Sequence, residues 1–341
     1  GTATTDDGVI VYDGHEEDPT LEGPKLYKRN GYYYILAPAG GVATGWQLAL
    51  RSKNIYGPYE RKVVMDQGST PINGPHQGAW VNTPSGEDWF LHFQDKEAYG
   101  RVLHLQPMKW INNWPVMGVD KDGDGKGEPV LQYKKPAVGK VHVVQTPAES
   151  DEFNHRQMGL QWQWMANPKS TWAFMNVANG TLRLYTQWSD SGANIWTQPH
   201  VLSQKFPAET FMVTTKLKAT FNPKLKGEKV GLAILGLSTA SLHLKSSANG
   251  NSLIYEETKE AKSGKRGNEK IVASSLPSGD IYLRVKVNAG GVCTFSYSLD
   301  GINFTNAGTP FTAMPGQWTG AKVGLFATRE STTNESRPDA Q

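Results

Sequence analysis

Short apolar segments alternate with turn-forming residues along the whole chain. In the first half they read "VIVY", "YYYILA", "WQLALRS", "AWVNT", "DWFLHFQ" and "RVLHLQPM". Most are rich in β-branched or aromatic residues, and each is bounded by Gly, Pro, Asn or Asp, which is typical of strands. No comparable amphipathic helical pattern is present. The sequence therefore predicts an all-β fold, with the strand spacing of a sandwich or of propeller blades.

A change of composition near the middle of the chain predicts two domains. A length of 341 residues fits two medium domains, each with its own core. The stretch "KKPAVGKVHVVQTPAES", residues 134–150, is extended, contains proline and has few large apolar residues, as linkers do. We expect a first domain over residues 1–140, a linker over 141–150 and a second domain over 151–341.

The second region has the alternation of an antiparallel sandwich. In "LQWQW" the spacing places Leu160, Trp162 and Trp164 on one strand face. The segment "IYLRVKVNAGGVCTFSYSL" predicts a hairpin that turns at its glycines. Cys293, the only cysteine, alternates with aromatic residues there, so we interpret it as a core residue rather than a reactive thiol.

Charge and hydropathy exclude several classes of partner. Lys and Arg number 35 against 32 Asp and Glu, a net charge of +3 without a basic run, which argues against nucleic acid. No stretch approaches the roughly 18 apolar residues of a membrane span. The 11 tryptophans would suit stacking on sugar rings, but core packing explains them as well, and composition alone favours the core.

Three motifs in order carry more information than the composition. Glu22 lies in "LEGPKLYKRNGYYYILA", His76 in "GPHQGAW", and Arg101 in "HFQDKEAYGRVLHLQPMKW". This order of motifs resembles glycoside hydrolase family 43, and the region from "DEFN" onward resembles the concanavalin-like domain that follows the catalytic domain in many members. The resemblance implies an all-β chain with a partial five-bladed β-propeller followed by a concanavalin-like (jelly-roll) β-sandwich.

The resemblance also implies an activity and three residue roles. Family members are inverting glycosidases that act on pentose-containing polysaccharides, so we expect an exo-acting α-L-arabinofuranosidase or β-xylosidase. Glu22 matches the general acid and Arg101 matches the arginine that supports it electrostatically. His76 matches a histidine near the propeller axis that contacts a central calcium in many members. A buried core histidine would look the same, since calcium prefers oxygen ligands.

Four further residues are candidates for binding the substrate. Trp46 and Trp80 follow glycine-rich turns and could wall a sugar subsite, although core packing explains Trp80 at least as well. Gln94 and Asp95 end a strand and could hydrogen-bond sugar hydroxyls. The expected ligands are arabinoxylan, arabinan or xylooligosaccharides, and such polymers imply a secreted or periplasmic protein.

Two acidic clusters are weaker candidates for calcium. Asp120, Asp122 and Asp124 have the spacing that opens a calcium loop, but Leu131 replaces the glutamate at its twelfth position. An acidic turn is therefore the first interpretation. Asp151 and Glu152 could serve a structural calcium in the second domain, and exposed linker carboxylates are an equal alternative.

The sequence departs from the family pattern before Glu22. The family's general base and its pKa-tuning aspartate precede that motif, and none of the acids here (Asp6, Asp7, Asp13 and Asp18) lies in a matching motif. Residues 1–140 have room for about three blades. We therefore expect the chain alone to be inactive or poorly soluble, with a missing N-terminal propeller segment as its partner. A non-catalytic carbohydrate-binding protein is the alternative function.

Overall fold

Strands dominate the computed structural model, which describes residues 8–190, 192–225, 227–247 and 250–330. The chain divides into two compact units. The first comprises Gly1–Lys96 and Arg101–Val144, and the second comprises Glu97–Gly100 and Gln145–Gln341. Among the described residues no helix is both long and apolar enough to cross a bilayer. The predicted all-β class is confirmed.

The first unit contains two four-stranded antiparallel sheets, each in simple meander order. Their strands are β1 (Lys25–Arg29), β2 (Tyr32–Ala39), β3 (Trp46–Ser52), β4 (Glu60–Met65), β5 (His76–Asn82), β6 (Asp88–Asp95), β7 (Arg101–Ile111) and β8 (Trp114–Met117). A short helix, α1 (Gly41–Thr44), joins β2 to β3. Four-stranded meanders of this kind are the blades of propellers.

Two expectations for the first unit are wrong. About three blades were expected, and the described residues form two such sheets because residues 119–144 make only isolated bridges and turns. The segment "VIVY" is not a strand, and its Val9 and Ile10 side chains are 68% and 83% exposed. From Leu131 to Ser150 every residue except Pro136 is exposed.

The second unit is a sandwich of two larger sheets, accompanied by a two-stranded ribbon, β10 (Ala173–Asn176) with β11 (Thr181–Leu184). One sheet has eight strands: β9 (Gln163–Trp164), β12 (Gln187–Ser189), β13 (Leu202–Lys205), β15 (Lys229–Leu235), β16 (Thr239–Ser247), β17 (Gly250–Thr258), β18 (Asn268–Leu276) and β22 (Lys322–Glu330). The other has four: β14 (Phe211–Lys218), β19 (Asp280–Asn288), β20 (Val292–Ser298) and β21 (Thr305–Thr312).

The core of the sandwich is formed by the inward face of both sheets. Leu232, Leu242, Leu283 and Phe295 are fully buried in it. Cys293 is buried with them, and burial raises the pKa of its thiol to about 12, which confirms the prediction that it is a core residue.

The predicted strand at "LQWQW" is mostly wrong. Only Gln163 and Trp164 pair with a neighbour, as β9, and Leu160 lies in a turn with its side chain fully exposed. The alternating pattern is therefore not used, because a turn at Gly159 closes before the strand begins.

Candidate active site

Glu22 sits in a turn that leads directly into β1. Its backbone N–H donates to the Pro38 carbonyl at 3.2 Å, which ties the turn to β2. Gly23 has a φ of +53°, and a Cβ there would lie 2.0 Å from Oε1 of the Gln77 side chain. Glycine is favoured at this position for both reasons. The Glu-Gly-Pro motif thus holds the Glu22 carboxylate beside the start of β5.

The first polar neighbour of Glu22 is His76, the first residue of β5. Glu22 Oε1 lies 3.8 Å from His76 Nε2, and the two side chains are 53% and 0% exposed. Nε2 has no hydrogen-bond partner among the described residues. Burial lowers the pKa of His76, so its imidazole is neutral near pH 7. A half-exposed carboxylate therefore lies against a buried, neutral imidazole.

Arg101 begins β7 on the same sheet. Its guanidinium lies over the Phe93 ring at 4.6 Å from the centroid. Phe93 is the direct partner of His76 in the β5–β6 pair, and Arg101 faces Asp95 across β6 and β7. The positive charge of Arg101 also contributes to the lowered pKa of His76, after burial. The structure thus brings these residues together at one end of the sheet, while the supporting role of Arg101 stays a prediction.

Asp18, four residues before Glu22, is a carboxylate that accepts four side-chain hydrogen bonds. It is 1% exposed. Arg61 donates to both its oxygens, Nε to Oδ2 at 2.6 Å and Nη2 to Oδ1 at 2.5 Å. The Tyr12 hydroxyl donates to Oδ2 at 2.5 Å and Trp46 Nε1 donates to Oδ1 at 3.0 Å. One carboxylate therefore joins three separate segments around the Glu22 turn.

The electrostatics of this network keep Asp18 ionised. Burial alone would raise its pKa, but the hydrogen bonds from Arg61, Tyr12 and Trp46 outweigh it and lower the pKa below the usual value. Burial and the adjacent carboxylate raise the pKa of Tyr12 to about 12, so its hydroxyl stays a donor. With both oxygens engaged, Asp18 is suited to holding structure rather than to activating water.

Trp46 connects the Asp18 network to a polar cleft. While its Nε1 bonds to Asp18, its ring packs over Gly40, where a Cβ would lie 2.6 Å from Cζ3. Trp46 also lines a cleft of about 350 Å³, whose other walls include the paired side chains of Lys126 and Asp66. This placement suits the predicted sugar-subsite wall, which stays a prediction.

The structure places Trp80 differently from the expected subsite wall. Its ring packs against Tyr27 and Trp110, with centroids 5.3 and 5.1 Å away, and its Nε1 donates to Asp88 at 2.7 Å. These contacts belong to the core of the first unit. The alternative interpretation of core packing therefore describes Trp80, because the strand directs its indole into the aromatic cluster.

Gln94 and Asp95 occupy the end of β6. Gln94 is buried, and its amide is engaged within the protein: Nε2 donates to the Pro71 carbonyl at 2.8 Å and Oε1 lies 3.2 Å from His104 Nε2. Those contacts give Gln94 a structural role. Asp95 is partly exposed beside Arg101, and its contact with sugar hydroxyls stays a prediction.

The two acidic clusters bond mainly within their own loops. The carboxylates of Asp120, Asp122 and Asp124 approach within 4.8 Å of one another. Asp120 accepts from the backbone N–H groups of Gly123 and Gly125 at 2.7 and 2.9 Å, as expected of an acidic turn. Asp151 accepts from Trp162 Nε1 at 2.8 Å. Calcium at these clusters stays a prediction.

Sequence reasoning missed the roles of Asp18, Arg61 and Tyr12. Asp18 was noted only as an acid without a family motif, and Asp6 and Asp7 lie outside the described residues. The partners of Asp18 lie 6, 28 and 43 residues along the chain, so no local pattern marks them. The Asp-Pro step just before the Glu-Gly-Pro motif is the one local signal of a fixed turn.

Comparison with known proteins gives two family matches. The family model "Beta xylosidase C-terminal Concanavalin A-like domain" matches residues 150–339, more than half of the chain. The model "Glycosyl hydrolases family 43" matches residues 1–115. The two matches follow each other in the order expected from the motifs.

Curated relatives match across both units. A "Putative beta-xylosidase" of Xylanibacter ruminicola is 37% identical over 96% of this chain and 58% of its own length. A "Beta-xylosidase" of Formosa agariphila is 31% identical over 96% of the chain and 59% of its own length. The chain therefore spans about three fifths of the length of these relatives.

Solved structures share the fold. An engineered family 43 glycoside hydrolase superposes with a TM-score of 0.77 at 24% identity, over 94% of this chain and 63% of that one. A family 43 protein of Bacillus licheniformis gives 0.76 at 24% identity, with the same coverage of 94% and 63%. At this identity the likeness concerns the fold alone.

Proposed function

The chain belongs to glycoside hydrolase family 43, and from this premise we propose that it forms part of an inverting, exo-acting glycosidase of plant hemicellulose. Its substrates would be terminal β-xylosyl or α-L-arabinofuranosyl residues of arabinoxylan, arabinan or xylooligosaccharides. The names of its relatives support a pentose substrate. They do not favour the alternative of a non-catalytic carbohydrate-binding protein.

The observation that carries this proposal is the position of Glu22. Its carboxyl is half exposed, so a glycosidic oxygen can reach it, and it lies 3.8 Å from the neutral His76 ring. In an inverting reaction such a carboxylic acid protonates the leaving oxygen, while a base about 6.5–9.5 Å away activates water on the opposite face of the sugar. Glu22 takes the acid role in this scheme.

The base would come from outside the Asp18 network. Both oxygens of Asp18 accept hydrogen bonds, and the carboxylate is 1% exposed, so water has no access to it. Asp13 is exposed and pairs with His15 two residues away. We therefore propose that a further propeller segment outside these 341 residues supplies the base. Exposed leucines such as Leu26 and Leu103, 55% and 69% exposed, offer apolar surface for it.

Calcium and location are part of the same proposal. The neutral His76 ring, with Nε2 unpartnered among the described residues, fits a direct or water-mediated contact to an axial cation. Bound calcium would supply a fixed positive charge near the sugar and keep the imidazole in place. Polymeric hemicellulose as substrate supports a secreted or periplasmic location.

The test uses the full gene product that carries this chain, with 4-nitrophenyl β-D-xyloside and 4-nitrophenyl α-L-arabinofuranoside. Proton NMR of the first product reports its anomeric configuration. We expect one of the two glycosides to be cleaved with inversion. Glu22→Ala should abolish cleavage of the unactivated disaccharide of the same sugar, xylobiose or arabinobiose, because its departing sugar needs a proton. Retention of configuration, or full activity of Glu22→Ala on that disaccharide, would refute the proposal.

A further inference from the structure

A cleft of about 460 Å³ lies in the second unit, whereas Glu22 belongs to the first. Its lining comes from residues 166–172, from β12 and from residues 193–200 between β12 and β13. Its volume falls within the range of small-molecule sites. We propose that this sandwich cleft binds a neutral oligosaccharide.

Two indole rings line the cleft: Trp172 is a buried support, and Trp188 is the more accessible apolar surface. Trp172 is 5% exposed and is held by edge contacts to Trp164, at 5.4 Å between centroids, and to His200, at 5.9 Å. Trp188 lies on β12 and is only partly buried. A rigid, amphipathic aromatic surface of this kind suits the apolar C–H face of a sugar ring.

Amide side chains line the same cleft. The Gln187 amide is fixed by donation from Nε2 to the carbonyls of Thr171 and Tyr185, at 3.2 and 3.1 Å. Asn167 is exposed at the rim. These donations give Gln187 a structural role, whereas the exposed Asn167 amide offers a donor and an acceptor that match the hydroxyl groups of a saccharide. The combination of indole faces with a few oriented polar groups is that of a small-molecule site.

The charges in the cleft favour a neutral ligand. Its formally charged lining residues are Lys169 and Asp190, whose charges cancel. His200 also lines the cleft, and burial lowers its pKa to about 4, so its ring is uncharged near pH 7. A phosphate or carboxylate ligand would need a positive excess here. A neutral sugar chain needs none.

This inference uses the proposed function only for the choice of sugar. A glycosidase of hemicellulose would meet xylan-type chains, so a second site in the sandwich would hold the polymer near the enzyme and raise its effective concentration. The site itself is argued from the second unit alone, and its binding can be measured without turnover.

The experiment measures binding of xylopentaose to the chain by isothermal titration calorimetry, with cellopentaose and arabinopentaose in parallel. We expect xylopentaose to bind and Trp188→Ala to weaken binding at least tenfold. Asn167→Ala at the exposed rim should weaken it two- to fivefold. Trp318→Ala is the matched control, because Trp318 is 75% exposed outside the cleft and its loss should leave binding unchanged.

The outcomes separate this inference from the proposed function. Loss of binding in the cleft variants, with Glu22→Gln still binding, supports the site whether or not the protein hydrolyses glycosides. Urea unfolding checks that Trp188→Ala is folded. If it is not folded, the binding affinity of Asn167→Ala tests the site instead. No binding of any of the three pentasaccharides at millimolar concentration, or equal binding by Trp188→Ala, Asn167→Ala and the unsubstituted chain, overturns the proposal.

Discussion

The Asp18 network gives the sharpest prediction for stability. Removing the carboxylate in Asp18→Ala leaves Arg61, Tyr12 and Trp46 without their shared acceptor. Breaking a buried ion pair from one side costs about 3–5 kcal/mol, because a charge stays buried without a partner. The Arg61 side chain is 29% exposed and keeps a second partner, the exposed Glu17, whose Oε2 lies 3.4 Å from Nε, so we take the lower end, about 3 kcal/mol.

The matched control is the neighbouring pair of Arg51 and Glu60. Its Nη2–Oε2 distance is also 2.5 Å, but Glu60 is 63% exposed. Exposed pairs contribute about 0–1 kcal/mol, so Glu60→Ala should cost no more than that. Both pairs join side chains of the same four-stranded sheet or its preceding turn, which makes burial the main difference between them.

The assay is hydrogen exchange of β1–β4 peptides across a urea series, which reports the unfolding of this sheet separately from the second unit. We expect Asp18→Ala to lower the free energy of unfolding by about 3 kcal/mol and Glu60→Ala by about 1 kcal/mol at most. The double variant Asp18→Ala/Arg61→Ala should cost less than the sum of the single variants, since it removes both members of the pair and Glu17, which also contacts Arg61, is exposed. Equal costs for Asp18→Ala and Glu60→Ala would refute the reasoning.

Two further predictions concern the second unit. Burial holds the pKa of His200 at about 4, below its unfolded value near 6.5. As the pH falls, the unfolded chain therefore binds the proton first. This one group should lower the free energy of unfolding by about 1.4 kcal/mol per pH unit between pH 6.5 and 4. His243 of the same unit, whose pKa burial also lowers well below its usual value, adds a slope of its own. His200→Gln should therefore reduce the total slope by about 1.4 kcal/mol per pH unit in urea unfolding of the second unit, and an unchanged slope would contradict the assignment. Lys229, 7% exposed, bridges Glu256 and Glu269 at 3.0 and 2.6 Å, so Lys229→Ala should destabilise this unit by about 3–5 kcal/mol. Lys216→Ala, at an exposed pair, should change the urea midpoint little, and comparable losses in both variants would contradict the account.

Strands formed by apolar runs between turn residues were predictable from the sequence. The segment "WQLALRS" is β3 without a residue added or lost, and "YYYILA" lies wholly within β2. The second is dense in aromatic residues, the first has one tryptophan and three aliphatic residues, and both end at glycine or polar turns, so local preference and burial agree. In "LQWQW" the alternation of Gln with apolar residues predicted a longer strand than the two residues that form it, because the turn before Trp162 competes with strand pairing.

Residues of the site were predictable from the sequence only where they belong to a family motif. Glu22 and His76 come from motifs 54 positions apart, and the structure places them 3.8 Å from each other. Trp80 and Gln94 also lie near family motifs in the sequence. Sheet packing nevertheless directs Trp80 into the aromatic core, and the Gln94 amide hydrogen-bonds within the protein. The pairing register between distant strands decides whether such a side chain faces the core or the solvent. Composition or spacing along one strand does not reveal that register.

The acid role of Glu22 is the central claim, and a leaving-group comparison tests it most directly. In Glu22→Gln, kcat/KM for xylobiose should fall by about 10²–10⁴-fold, because the departing sugar needs a proton. Hydrolysis of 2,4-dinitrophenyl β-D-xyloside, whose phenolate leaves unprotonated, should fall by less than about tenfold. Equal losses on both substrates, or undiminished cleavage of xylobiose, would contradict the assignment of Glu22 as general acid.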